Sequence, residues 1–371
     1  MRGAIAKAKA FFRAQPVLVI SFLAAAVTVF IVPPDGKYAD YCNRTVLIEL
    51  FALMLAVSGF RSIGAFDSAT RLILSKTGNI RSLGRVLVLI CFFTSMLVTN
   101  DVALITFVPL TLMIFRGCTD EKSRIMTIVL ETAAANMGSM LTPVGNPQNL
   151  YLYDEFGMSV GEFVTATLPC GLISLACLMG LSFLLPKTLC EAPETSEGSI
   201  SKSRAAVYGT VFGLCLACVL RLVPDWICLI AAVAAALICD VSLLKKVDYA
   251  LLATFVCFFV FVGNIARIDA VSDFFRDILA GREILVAIGL SQVISNVPAA
   301  VMLSGFTDNG KALLLGVDLG GLGTMIASLA SLISFQFYRK AEGARPARYM
   351  LTFTAVSLAM LAVLIPAVLI L

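Results

Sequence analysis

Apolar residues run almost unbroken over 17–33, 45–66, 163–186, 205–222, 226–243, 248–266 and 349–371. Each run is close to the ~20 residues that a helix needs to cross a bilayer core. The pattern therefore predicts seven uninterrupted transmembrane helices. Other apolar stretches are broken by polar residues. Residues 84–116 are too long for one crossing and contain Thr99-Asn100-Asp101. Residues 124–152 contain Thr142-Pro143-Val144-Gly145-Asn146-Pro147, and residues 283–305 contain Ser295-Asn296-Val297-Pro298. A fourth interruption, Gly316–Gly323, opens the stretch 311–337. In hydrocarbon every backbone amide needs a partner, so unwound chain survives only inside protein or beside a cavity. Four such breaks in one chain predict a transport or binding site.

The breaks come in pairs. Asn136, Gly138, Thr142, Asn146, Asn149 and Leu150 match Asp318, Gly320, Thr324, Ser328, Ser331 and Leu332 in type or role, at a constant offset of 182. Thr99-Asn100 matches Ser295-Asn296, and the run 45–66 matches 248–266. The expected organisation is an all-α polytopic membrane protein built as a repeat. A basic segment, 1–16, precedes a first unit, 17–186, with a re-entrant hairpin at 84–116 and a broken helix at 124–152. A cytoplasmic linker, 187–204, and a connecting helix, 205–222, lead to a second unit, 226–371. Its hairpin is 283–305 and its broken helix 311–337. With both hairpins returning to their own side, about nine crossings remain and the N-terminus lies inside. An odd number of crossings between the unit starts makes the repeat inverted, as in many secondary transporters.

Composition sharpens this. Of 371 residues, 59% are hydrophobic and 14% charged, and the mean hydropathy is +0.95. Soluble domains carry about 25% charged residues, so the excess apolar surface needs lipid. A soluble enzyme, a secreted disulfide scaffold and a nucleic-acid binder are excluded. There is no histidine, which removes the commonest metal ligand and the usual proton carrier near neutral pH. No nucleophile–base pair, metal cluster or phosphate loop points to an enzyme. Cys215 and Cys218 form a CxxC with no second pair and read as helix-packing residues. In the nine-crossing arrangement, 21 of the 28 Lys and Arg residues fall inside, the bias that orients membrane proteins. The first apolar run follows Arg2, Lys7, Lys9 and Arg13 and lacks a small-residue cleavage pattern, so it reads as a retained helix.

At a hairpin tip or a helix break, a helix C-terminus meets a helix N-terminus. Unpaired carbonyls suit a cation such as sodium, whereas unpaired amides and the positive dipole end suit an anion. Two hairpins and two broken helices would thus flank one substrate site with cation sites. Asn100 and Asn296 can each give oxygen to an ion and nitrogen to a substrate; each can also serve only its own turn. Asp101 fits an N-cap of the second hairpin helix and equally a proton or cation carrier. Glu131 and Asp318 lie within apolar runs, where an ionised acid costs about 2.5–3.5 kcal/mol on insertion scales. These three acids are the coupling candidates, or else bond to nearby hydroxyls and backbone.

Thr99-Asn100-Asp101, Gly145-Asn146-Pro147-Gln148-Asn149 and Ser295-Asn296-Val297 resemble the ion transporter superfamily. Its members include divalent anion/sodium symporters, citrate transporters and arsenite pumps. The order hairpin, broken helix, hairpin, broken helix covers nearly the whole chain. The resemblance implies an elevator-type homodimer in a bacterial-type inner membrane, sodium at the tips and a carboxylate between the two Asn motifs. Thr99, Asn100, Ser295 and Asn296 match the tips; Gly145, Pro147 and Asn149 match the first break. With their counterparts in the second unit, the expected substrate residues are Asn100, Asn296, Thr99, Ser295, Asn149 and Thr324. The expected ion-binding residues are Asn100, Asp101, Gly145, Asn146, Asn296, Gly323 and Asp318. Sodium or a proton is the coupling ion, with no other cofactor. Asp101 and Val297 stand where the symporter branch has Thr, and Thr-Asn-Asp with Leu319–Leu332 is closer to the arsenite pumps. The reading is a transporter of a di- or tricarboxylate or an inorganic oxyanion; the alternative is a cation/proton antiporter or arsenite-like efflux pump.

Overall fold

A computed structural model describes residues 15–64, 78–115, 121–189 and 201–370 of the chain. The basic residues before 15 and most of the 187–204 linker lie outside the described residues. The described residues form helices and no strand; one isolated bridge joins Asn79 to Leu189.

The uninterrupted runs are helices: α1 (Pro16–Ile31), α2 (Arg44–Ser62), α7 (Val160–Leu181), α8 (Lys202–Val219), α9 (Asp225–Cys239), α10 (Tyr249–Ile265) and α16 (Pro346–Ile370). The broken stretches give α3 (Ile80–Val98) and α4 (Asn100–Ile114), then α5 (Glu121–Ser139) and α6 (Pro147–Glu155), then α12 (Glu283–Ile294) and α13 (Asn296–Ser304). The last pair is α14 (Gly310–Gly320) and α15 (Leu329–Arg339). No apolar run marks α11 (Asp269–Leu279), which bends 103° away from α10. By length and composition α2, α3, Val160–Leu184 and α16 can each cross a membrane, and the bent α10–α11 pair is a fifth candidate. Thus α3, read from sequence as one arm of a re-entrant hairpin, is long enough to span by itself.

Local chemistry sets the boundaries. Side chains of Asn43, Asn79, Asn146, Asp248 and Asn309 each accept the backbone N–H three residues on and start their helices. Such caps satisfy amides that the helix leaves unpaired. One boundary differs from expectation. The fourth break was expected at Gly316–Gly323, but α14 continues to Gly320 and the unwound segment is 321–328. Gly316 lies inside the helix because α12 presses on it. A Cβ there would meet Ala287 Cβ at 2.7 Å and the Ile284 backbone at 2.9 Å. It is a close-packing glycine of the kind that membrane helices use at their interfaces.

Charged groups collect in two separate places. At one, Asn43 Nδ2 donates to Asp154 (2.7 Å), Lys311 pairs with Glu162 (3.5 Å) and Arg221 donates to the Tyr153 carbonyl (3.3 Å). The capping box of Ser159, then Lys311, hold the Glu162 carboxyl below its usual range. At the other, Arg85 donates to Ser182 (2.8 Å), and Arg124 pairs with Glu121 and donates to the Glu342 carbonyl (3.0 Å). Helix α7 runs from the first place to the second. Its 22 residues span about 33 Å at 1.5 Å per residue, close to the ~30 Å of a bilayer core.

Candidate functional site

The hairpin stretches turn at single residues, Thr99 (φ 73°, ψ 149°) and Ser295 (φ 77°, ψ 154°). That region is almost reserved for glycine and costs about 1–3 kcal/mol for another residue. Two non-glycine residues hold it at the two tips, and at each tip a helix starts directly after the strained residue. Asn100 and Asn296 are the first residues of α4 and α13 and are both buried.

The broken helices meet these tips through paired contacts. Thr142 Oγ1 donates to the Met96 carbonyl, and Thr324 Oγ1 donates to the Gln292 carbonyl (3.1 Å). A Cβ on Gly138 would overlap the Phe92 carbonyl and approach Ser95 Oγ at 2.6 Å, while one on Gly320 would approach Ser291 Oγ at 2.5 Å. Thr142 and Thr324, like Gly138 and Gly320, are 182 residues apart. Ser95 and Ser291 stand four residues before their tips. The second arms obey the same offset: α6 begins at Pro147 and α15 at Leu329.

At the centre the two broken helices exchange contacts. Asn136, near the end of α5, reaches the second break. Its Nδ2 lies 3.3 Å from Ser331 Oγ and 3.4 Å from the Gly321 carbonyl, and Ser328 Oγ donates to its Oδ1 (3.1 Å). Asp318, near the end of α14, reaches the first break. Asn146 Nδ2 and Gln148 Nε2 donate to its Oδ1 (3.3 and 3.4 Å). Asn149, with its amide nitrogen turned toward the carboxylate, adds a donor at 2.8 Å; amide orientation follows from the network. Positions 136, 146 and 149 thus do for one break what 318, 328 and 331 do for the other. The halves differ in charge: one holds an amide among hydroxyls, the other a carboxylate among amides. Asn100 Nδ2 donates to Asn136 Oδ1 (3.0 Å), joining the first tip to this centre. The Asn296 amide nitrogen sits against Gly321, and its backbone N–H donates to the Ala327 carbonyl (2.9 Å).

The structure therefore gathers Asn100, Asn296, Ser295, Asn146, Asn149 and Asp318 in one buried region. Gly145 is there for steric reasons, since a Cβ would overlap the Ser139 carbonyl. Gly323 takes φ 114° against Gln292. Three expected residues lie aside. Thr324 is exposed and spends its hydroxyl on Gln292. Asp101 is not the N-cap: Thr99 holds that position with no side-chain cap bond, and Asp101 sits half-buried in the first turn of α4. Its carboxylate there faces the positive end of the helix dipole. Glu131 is buried on α5 and accepts from Thr111 Oγ1 (2.5 Å), apart from the central contacts.

Sequence reasoning missed Gln292. Its Nε2 donates to the Gly320 and Leu322 carbonyls (3.0 Å each) and its Oε1 accepts from Thr324 N (2.8 Å), stapling the second break to α12. A lone amide three residues before a tip, in the run Leu285–Ile294, was the available signal. Asn136, Ser328 and Ser331 were visible as repeat positions but not as site residues.

Known proteins place the chain. It is 34% identical over 295 residues to an uncharacterized transporter of Methanocaldococcus jannaschii, covering 78% of this chain and 80% of that protein. It is 32% identical over 300 residues to the inner membrane protein YbiR of Escherichia coli, covering 78% of each. A Dictyostelium discoideum protein carrying the name transporter arsB is 23% identical over 171 residues, 44% of this chain and 29% of its own length. The citrate transporter family matches residues 7–309, which include both tips and the first break. The chain belongs to the citrate transporter family.

Proposed function

We propose that the protein is a secondary transporter of a small anion, a di- or tricarboxylate or an inorganic oxyanion, driven by sodium or protons. The observation that carries this reading is the convergence of two strained tips and two unwound segments on one buried polar centre. Interruptions at that depth are costly unless they line a binding site. Helix N-termini at Asn100, Asn296, Pro147 and Leu329 supply amides for an anion; the carbonyls of α3 and α12 at the tips suit a cation. The offset contacts support an inverted repeat. An elevator-type motion would carry this centre past a scaffold formed by α1, α2 and α8–α10, and a homodimer is the natural frame for it. The name of the E. coli relative supports an inner-membrane location.

Purified protein in liposomes should accumulate one of citrate, succinate, phosphate, sulfate or arsenite under a sodium or pH gradient. Asn100→Ala and Asn296→Ala should each remain folded and lose that uptake. Normal uptake by both variants would overturn the site.

A second reading, cation/proton antiport or metalloid efflux, is favoured by Asp318, which places a carboxylate in the centre. Proton-coupled cation flux with no bound anion would select it.

A further inference from the structure

Orphaned polar atoms are not scattered through this protein. Seven buried side-chain nitrogen or oxygen atoms among the described residues have no hydrogen-bond partner: Arg124 Nε, Thr127 Oγ1, Glu131 Oε2, Tyr208 OH, Asn264 Oδ1, Tyr349 OH and Ser357 Oγ. Five of them lie on α5 and α16, which pack together. On α5 the positions are 124, 127 and 131, spaced along the helix from its first turn to its middle. Each such atom costs about 1–3 kcal/mol, so their clustering calls for a function.

Glu131 is fully buried, with Oε1 bonded to the Thr111 hydroxyl and Oε2 bonded to nothing. Among the described residues no lysine or arginine pairs with it. The titratable groups facing it are Cys91 from α3 and Tyr349 from α16, while α4 presents Thr111. The contrast with Asp318 is chemical. Asp318 is ringed by amide N–H donors, which favour the ionised form. A threonine hydroxyl donates to a carboxylate and accepts from a carboxylic acid, so Thr111 suits both forms of Glu131.

A line of polar side chains runs beside it toward the start of α5. The Tyr349 ring, near Glu131, stacks on Tyr338 with centroids 4.8 Å apart. The Tyr338 hydroxyl bonds to the half-buried Glu121, which pairs with Arg124 at the start of α5, next to the exposed Lys122. From Glu121 to Glu131 is ten residues along α5, about 15 Å.

We infer that Glu131 is a proton-binding site separate from the central site, reached along the α5–α16 seam from the end where Glu121 and Arg124 lie. A proton from water at that end converts the carboxylate to the acid, and Thr111 switches from donor to acceptor. Resting on the transport reading, this gives the driving proton a carrier, Glu131, outside the central site.

Infrared pH-difference spectra of the purified full chain test the site without a transport substrate. The wild type should show a carboxylic C=O band that shifts in deuterium oxide. Glu131→Gln should lack it and Asp318→Asn should keep it. A band lost in Asp318→Asn and kept in Glu131→Gln would overturn the assignment. Thr111→Val is the second variant and should shift the same band, whereas an unshifted band would also count against the site. In liposomes with citrate as probe, Glu131→Gln should lose pH-driven accumulation and keep citrate exchange. Accumulation kept in that variant would overturn the coupling role. Absence of transport of citrate, succinate, phosphate, sulfate and arsenite alike in the wild type would count against the transport reading and leave the spectroscopic result standing.

Discussion

Thr99 and Ser295 hold backbone angles that glycine would hold without strain. Replacing either with glycine should therefore raise the unfolding temperature, a gain of about 1 kcal/mol after the entropy that glycine adds to the unfolded chain. Uptake should fall, because the strained residue fixes the following amide. A glycine variant that melts lower than wild type would show that the tip is not strained. Asp318 offers a second test. Asp318→Asn keeps an acceptor for the amides of Asn146 and Asn149 and reproduces the chemistry of Asn136. Asp318→Ala removes that acceptor, leaving Asn146 Nδ2 only its bond to Ser139 Oγ and taking from the buried Gln148 Nε2 its bond to the carboxylate, and should be less stable than Asp318→Asn by about 1–3 kcal/mol. Thermal melts in detergent decide it, and equal melting points would refute the amide cradle. The asparagines at the tips were legible because a polar residue in an apolar run must justify its burial. Gln292 was not legible as a site residue, because its partners are carbonyls of a segment 28 residues and more away.

At the scale of elements, the starts of helices were readable and some ends were not. Caps are local, so Asn43, Asn79 and Asn309 mark their own helices. Gly316 read as a breaker and is a contact for α12 instead, a distinction that depends on a helix remote in sequence. Gly138 shows the same pressure: its missing Cβ lets α5 reach the α3 backbone. Gly138→Ala should destabilise by about 1–3 kcal/mol, the usual cost of overpacking, measured by thermal melting. The start of α7 gives a pH test. The Glu162 carboxyl is held below its ordinary 4.5 in the folded chain, so its stabilisation is present above that value and fades as pH falls through the folded one. Glu162→Gln should lower the melting temperature at pH 7, and the difference from wild type should close as pH drops below about 4. A difference that persists in acid would place the effect in packing.

For the whole molecule, the charge count and the contacts concern the same groups. Lys311 meets Glu162 at one end of α7, and Arg85 meets Ser182 at the other. Lys122 is next to Glu121 at the start of α5, which packs beside α3. Single-cysteine labelling at positions 122 and 311, in a cysteine-depleted background, should label them from opposite faces of the membrane. Labelling from the same face would rule out the inverted arrangement.

Membership in a bilayer, four interruptions in two matched pairs, and the polar residues at them are all legible in the amino-acid order alone. Hydrophobic run length and the cost of unpaired backbone in lipid are local constraints, so composition and spacing reveal them. How the interruptions meet is visible only in the folded chain. That Asn136 serves the second break and Asp318 the first, and that one half is charged and the other neutral, depends on contacts across more than 170 residues of chain. The fold also separated the three acids read as coupling candidates: Asp318 among amide donors, Asp101 at a helix start, and Glu131 with a hydroxyl and one unpaired oxygen. A carboxylate's role is set by which donors surround it, and neighbours drawn from four different helices leave no periodic trace in the sequence.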